Sequence, residues 1–418
     1  MEQVVSISAS QQDSSAKRVC TVCIRDSALS RLITESEEQQ QCAYCDRRGP
    51  SLSIAALAEH IRERICDEYS DVDSEFVSYD NEEGKYVSDT WSTHDLVSDN
   101  LDASEAIIDD LVEELFDCTW CRKDFGTARK LDQILLSSWG DLVEHVKYER
   151  RYFAGGHDRL EAGDAGLGRG EGPVCYEVSY SNSEGFAPLR LLECVGEIAL
   201  AADLIQVIEP GTDLYRARVE SSEQVLATVE DLGPPTPEKA GANRMSPVGV
   251  VMFYGALDRD TAIVETFEPA REGSRDKVVS VAKFRSVREL KVLNLTDLPQ
   301  PSFFDSHDFY HVVNFLREFV RELAKPISRD GSEHVEYVPS QFVTEYFRHK
   351  FRMNDERLDG IVYRSSKNGK SACVLFFDRS DCGSDDEVPT ASARPRALLL
   401  VPSATERIPG TRLISNDR

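Results

Sequence analysis

Residues 243–265, Asn-Arg-Met-Ser-Pro-Val-Gly-Val-Val-Met-Phe-Tyr-Gly-Ala-Leu-Asp-Arg-Asp-Thr-Ala-Ile-Val-Glu, leave the backbone few options. The apolar run Val250–Tyr254 predicts a buried strand, Asp258 and Asp260 are candidate N-caps, and Thr261–Phe267 predicts a short, mostly apolar helix carrying Glu265. Arg244, Tyr254 and Glu265 therefore surround a strand and helix that are otherwise apolar. Burying Glu265 costs several kcal/mol unless a cation or hydrogen-bond donor meets it.

A second stretch, Asp213-Leu-Tyr-Arg-Ala-Arg-Val219, predicts a strand that opens the same domain. Period-2 alternation puts Arg216 and Arg218 on one face and Tyr215 and Ala217 on the other. Two arginines side by side on a short apolar strand repel each other unless an anion or a carboxylate lies between them. A diphosphate suits a pair of planar guanidinium forks.

In order, the chain presents Tyr215-Arg216 on a first strand, Arg244 followed by a Pro247/Gly249 turn, and a strand ending in Tyr254. A Thr-Ala-x-x-Glu helix with Glu265 and a late Gly-Ile-x-Tyr-x-Ser strand from Gly360 to Ser365 follow. This order resembles the RES domain, over roughly residues 205–380. The resemblance implies an α+β fold similar to the ADP-ribosyltransferases and chemistry on NAD: hydrolysis, phosphorolysis or ADP-ribosyl transfer, in members that often act as toxins of toxin–antitoxin pairs. Carried over by position, it implies Arg216 and Arg244 on the phosphates with Arg218 beside them, Tyr254 at the nicotinamide ribose, and Glu265 at the scissile glycosidic bond. It also implies a serine completing the site, Ser365, with Ser366 the neighbour that a one-residue shift would present. A bond that breaks through an oxocarbenium-like state gains from a fixed carboxylate, which stabilises the growing positive charge or activates the acceptor. The stretch Ser365-Ser-Lys-Asn-Gly-Lys370 also reads as a hairpin turn, because Asn-Gly separates two apolar runs.

Two cysteine pairs, Cys20-Thr-Val-Cys23 and Cys42-Ala-Tyr-Cys45, stand 18 residues apart, a spacing that suits a four-cysteine zinc ribbon over 16–48. With no secretory signal at the N-terminus, zinc is the expected use of these thiols rather than disulfides, and the site is expected to be closed and structural. A third pair, Cys118/Cys121, has no matching partner and is read as a buried turn. Cys373 reads as a small core residue.

The net charge of −26 is uneven, with 18 acidic residues against one lysine between Asp67 and Asp117. Such a surface repels phosphate backbones, so nucleic acid is not an expected partner there; it reads first as a solvated acidic helical face, and alternatively as a docking face for a basic partner or a mimic of nucleic-acid charge. Helical periodicity over Ile54–Ile65 puts Leu57, Ile61 and Ile65 on one face, and Ala106–Phe116 and Leu131–Val146 behave alike. These predict an acidic helical domain over 50–153. Together with the cysteine knuckles it resembles the HEPN-like module that accompanies some RES proteins. Arg151 and His157 fit the Arg/His spacing of HEPN ribonucleases.

The expected order is a disordered 1–15, the zinc ribbon, the helical domain, a glycine-rich linker over 154–185, a RES domain over 186–383 with its lead-in helix Leu189–Ile205, and a tail over 384–418. In that tail Ala397–Val401 reads as an edge strand. Residues 221–243 read as a proline-rich surface loop and Ser340–Arg348 as a helix. No apolar run is long enough to span a membrane, and a cytoplasmic protein is expected. The leading expectation is an NAD-consuming enzyme, a toxin or defence effector controlled by an antitoxin or regulatory partner. The alternatives are a HEPN-type ribonuclease with the RES domain as sensor, and a non-catalytic interaction protein using the acidic helical face.

Overall fold

The computed structural model describes residues 17–36, 38–75, 77, 79–80, 85–86, 88–123, 130–151, 188–223, 225–269, 273–325, 331–385 and 396–415. The expected disordered start, the linker and His157 lie outside the described residues. The chain divides into two compact units, one of residues 1–130 with 300–312 and one of residues 131–299 with 313–418.

In the first unit, β1 (Arg18–Cys20), β2 (Gln39–Gln41) and β3 (Arg48–Ser53) form an antiparallel sheet in the order β1-β3-β2. Helix α1 (Ser27–Glu35) starts at Asp26, whose carboxylate accepts the Leu29 N–H, and α2 (Ile54–Glu68) starts at Ser53, whose hydroxyl accepts from Ala56. Leu57, Ile61 and Ile65 are buried as their spacing predicts. After α2 the chain is not simply helical. Strands β4 (Tyr69–Asp71), β5 (Tyr79–Asp80), β6 (Lys85–Tyr86) and β7 (Thr90–Ser92) precede α3 (Thr93–Asn100) and α4 (Glu105–Glu114), and β8 (Thr119–Arg122) closes a sheet ordered β4-β8-β7.

Those strands are short aromatic and β-branched runs hidden between acidic residues, too brief for a period-2 signal. Cys121 accordingly sits in a central strand, opposite Ser70 and Thr90, and not in a turn; Cys118 donates its thiol hydrogen to the Asp71 carboxylate at 3.1 Å. Trp120, on the same strand, packs among Leu57, Ile61 and Leu111 while its indole N–H bonds the Thr93 hydroxyl at 2.9 Å. Residues 300–312 return to this unit: Phe304 joins the core, and the nearly enclosed Asp305 pairs with Arg31 at 2.7 Å.

The second unit begins with α5 (Leu131–Glu144), which was expected to extend the acidic helical region. Its Trp139 meets Phe319 edge-on at 4.8 Å. Helix α6 (Pro188–Ala201) leads into β9 (Ile205–Ile208) and β10 (Asp213–Ser221). Then come β11 (Phe253–Ala256), α7 (Arg259–Thr266), β12 (Lys277–Ser286), β13 (Leu290–Asn294), α8 (His307–Ala324), α9 (Val338–His349), β14 (Gly360–Arg364), β15 (Ser371–Leu375), β16 (Cys382–Ser384), β17 (Leu398–Leu400) and β18 (Glu406–Pro409). The first six residues of α8 count with the other unit.

One mixed sheet holds all these strands in the order β16-β17-β12-β10-β11-β15-β14-β13-β9, with β18 also on β12. Pairing is antiparallel except β13 with β14 and β16 with β17. Alternation builds a core on each face. Leu214, Phe253 and Phe284 serve one, and Ala217, Ala256 and Val281 serve the other, where α7 seats Ala262 and Ile263.

Three expectations change here. The Ala397–Val401 run supplies β17, which has a neighbour on both sides, so it is an interior strand. The strand expected over Val250–Tyr254 begins only at Phe253, because the Pro247–Val250 turn, with Gly249 at φ +82°, occupies the start of that run. Residues 221–243 are not purely a surface loop, since Leu226, Val229 and Leu232 are buried in the core beside Leu214.

Candidate functional site

Strand β10 carries Arg216 and Arg218 on the face shared with Leu214. Neither meets a carboxylate at salt-bridge distance among the described residues. Arg216 Nη1 donates to the Tyr254 carbonyl at 2.5 Å and its guanidinium lies 5.3 Å from the Phe253 ring centre; Arg218 Nη2 donates to the Gly233 carbonyl at 2.7 Å. Each Nε is buried without a hydrogen-bond partner. Burial, reinforced by Arg218, disfavours the charge on Arg216, and burial together with Arg379 does the same to Arg218. Arginine nonetheless stays protonated. The face thus concentrates positive charge, offset at Arg218 by the nearby Asp231, and among the described residues neither Nε donor has a partner.

Close approach of β10 and β11 depends on Gly255: a Cβ there would stand 3.0 Å from the Tyr215 carbonyl and 2.7 Å from the Phe253 ring. Only glycine lets these strands pair at Tyr215 and Ala256.

Arg244 is held from α9. Ser340 donates its hydroxyl to the Arg244 carbonyl at 2.5 Å, Gln341 Nε2 donates to the Asn243 and Ser246 carbonyls at 2.8 and 3.1 Å, and Thr344 reaches the Met245 sulfur at 3.1 Å. Gln341 thus anchors the loop that carries Arg244. The Arg244 Nη1 donates to the Leu323 carbonyl at 2.7 Å. Tyr254 shares a hydrogen bond of 2.8 Å with the Ser246 hydroxyl, and burial pushes its phenol up to about 12.

Glu265 lies in the last turn of α7, half-buried, on a helix that starts at Asp258 as predicted. The 365–370 turn is pinned to this helix. Lys367 Nζ donates to the Val264 carbonyl at 2.6 Å and the Glu265 carbonyl at 3.3 Å, and Asn368 Nδ2 to the Thr261 hydroxyl at 2.9 Å. The turn is the hairpin that Asn-Gly predicted, with Gly369 at φ +72°. Ser365 is 2% exposed and its Oγ accepts the Lys367 N–H at 3.2 Å, whereas Ser366 is exposed.

Tyr363, part of the motif but not singled out as a site residue, ties the set together. Burial raises its phenol well above the usual range, the charges of Glu265 and Tyr254 add to that, and Arg244 opposes it. Arg244, Tyr254 and Glu265, which come from three different segments, therefore all act on one phenol. Arg216, Arg244, Tyr254, Glu265 and Tyr363 are each half-buried. Arg379, beside Arg218 and bonded to the Glu230 and Pro234 carbonyls, is another cation that no local motif could have flagged. A separate cavity of about 580 Å³ is lined by Thr236, Val250, Glu345, Arg348, His349 and Arg379 among others, and none of the sequence-predicted catalytic residues lines it.

In the first unit, the four predicted cysteines converge. Cys20 Sγ lies 3.6 Å from Cys45 Sγ, Cys42 Sγ lies 3.8 Å from Cys23 Sγ, and all four sulfurs fall within 4.8 Å of one another. Tetrahedral zinc with bonds near 2.3 Å places sulfurs about 3.8 Å apart. Backbone N–H groups of Val22 and Cys23 point at the Cys20 sulfur, and those of Tyr44 and Cys45 at Cys42. Donors so placed stabilise thiolates, and the group could hold a metal. His157, the partner of Arg151 in the ribonuclease spacing, lies outside the described residues.

Comparison with protein families finds two matches. A family model described as RES domain matches residues 213–411. The chain carries a RES domain. A second model, HEPN/RES N-terminal domain 1, matches residues 35–159. The RES match extends past residue 383, where a tail was expected to begin, and takes in β17 and β18, in keeping with their pairing in the sheet. The RES family is associated with NAD-related toxin function. No curated protein and no solved structure matches the chain. Among the described residues no helix is long and apolar enough to cross a membrane.

Proposed function

We propose that the RES domain consumes NAD by breaking the bond between nicotinamide and ribose. The observation that supports this most is the pairing of two kinds of group: arginines bonded only to backbone carbonyls, and a carboxylate with two raised phenols nearby. A diphosphate would meet Arg216 and Arg244, with Arg218 extending the positive face, and would satisfy the donors that the protein leaves spare. Tyr254, kept protonated, is a hydrogen-bond donor for the nicotinamide ribose. Glu265 faces the positive charge that develops as the glycosidic bond lengthens, or takes the proton of the acceptor. Ser365 holds the turn that positions the Glu265 helix, and its Oγ is the serine group of the site.

The acceptor would be water, phosphate or a protein side chain; the last would make the chain an ADP-ribosyltransferase. Such an activity depletes a central metabolite, which fits a toxin or defence effector in the cytoplasm held in check by an antitoxin or regulatory protein. Cys20, Cys23, Cys42 and Cys45 would hold a structural zinc, which contributes folding energy to a segment with a small core of its own. The test is nicotinamide release from NAD: Arg216→Ala, Arg244→Ala and Glu265→Ala each abolish it while the fold is kept, and full activity in Glu265→Ala would overturn the assignment.

A further inference from the structure

Outside the RES site, three side chains converge in the first unit on one point. His307 and His311 stand one turn apart at the start of α8, and Glu68 closes α2. His311 Nε2 lies 2.9 Å and His307 Nδ1 3.2 Å from the same carboxylate oxygen, Glu68 Oε1. The other oxygen, Oε2, is occupied by Lys130 Nζ at 2.5 Å. His311 is 1% exposed.

His307 stands at ion-pair distance from Glu68 without a hydrogen bond to it. Its Nδ1 is buried and near the carboxylate, but it makes no hydrogen bond. In its neutral form such a ring nitrogen can present a lone pair to a cation. Two histidines at i, i+4 on a helix face, with a carboxylate from a second element, are a ligand set for a divalent cation. Tetrahedral zinc at 2.0–2.2 Å separates its ligand atoms by about 3.4 Å. The two imidazole–carboxylate separations, 3.2 and 2.9 Å, lie near that spacing, and all three ligand atoms fall within 4.8 Å of one another. Lys130 helps: by holding Oε2 it leaves Oε1 as a one-oxygen ligand and fixes its direction.

We propose that Glu68, His307 and His311 form a second divalent-metal site, distinct from the four-cysteine group, with zinc as the fitting ion. Three protein ligands leave a coordination position open, whereas the cysteine group is closed. That position takes water or an anionic oxygen ligand.

The test is metal stoichiometry on the full-length protein, stripped and then titrated with Zn²⁺, and separately with Co²⁺. Two equivalents are expected. The first Co²⁺ brings thiolate charge-transfer absorption from the cysteine group, and the second adds weak d–d bands without it. His307→Ala and the near-isosteric Glu68→Gln should each lose the second equivalent, or weaken it at least tenfold, while keeping the thiolate bands as proof that the unit is folded. Saturation of folded wild type at one equivalent would overturn the proposal. Two equivalents retained in both variants would overturn it as well, and would leave Glu68 as the centre of an ion-pair cluster only.

Discussion

Replacing Arg216 by methionine separates a ligand-binding cation from a structural one. In the free protein Arg216 makes one charge-assisted hydrogen bond, to the Tyr254 carbonyl, and stacks on Phe253. These contribute about 1.5–3 kcal/mol and about 0.5–2 kcal/mol. Against them stand the desolvation of a deeply packed guanidinium, which costs several kcal/mol, and the repulsion from Arg218. The terms nearly cancel. Methionine keeps the length and the apolar contact with Phe253, so Arg216→Met should change ligand-free stability by no more than about 2 kcal/mol, a few degrees in Tm for a unit of this size. Contact with a phosphate is a different matter: losing about 1.5–3 kcal/mol of charge-assisted hydrogen bonding weakens NAD about 10- to 150-fold. Thermal melts with and without NAD, paired with calorimetric titration in an inactive Glu265→Gln background, measure both. A variant that loses more than about 4 kcal/mol without ligand, yet keeps its NAD affinity, would show that Arg216 is structural and refute this reasoning.

Ser366→Ala should keep full activity because that side chain is exposed, whereas Ser365→Ala should lose activity and about 1 kcal/mol of stability through the freed Lys367 N–H, read by nicotinamide release and denaturant melts. Tyr254 holds its proton more tightly folded, near 12, than unfolded, near 10, so its contribution to stability is complete below pH 10 and disappears as pH rises to about 12; melts of Tyr254→Phe should show a shallower alkaline loss than wild type. Stripping metal with a chelator should unfold the region around Cys20–Cys45, seen as lost amide protection, and leave protection in β10 and β12 unchanged. Gly255→Val should abolish activity and destabilise strongly, since its Cβ collides with the Tyr215 carbonyl; a melt unchanged from wild type would contradict the strand geometry.

Much of this arrangement was legible in the residues. The β10 alternation, the Asp258 cap, the Asn-Gly hairpin and the two cysteine knuckles are local signals, each set by a few neighbouring side chains, and the structure shows all four. What the sequence concealed is non-local. The pairing of β17 with β12 depends on a partner more than a hundred residues away, so the Ala397–Val401 run looked like an edge. Strand β8 sits inside a charged region where its Trp and Cys gave no period. The carbonyl partners of Arg216 and Arg218, the hold of α9 on the Arg244 loop and the convergence of Tyr363 and Arg379 on the site arise only once distant segments meet. The same is true of Glu68, which lies more than two hundred residues from His307 and His311.

The most direct test is to incubate the full-length protein with NAD, with and without phosphate and a protein acceptor, and to follow nicotinamide by NMR. The account predicts nicotinamide release by wild type and none by Glu265→Gln, with the co-product naming the acceptor. Release that persists undiminished in Glu265→Gln, or none from the folded wild type and from residues 200–415 alone with acceptors supplied, would contradict it.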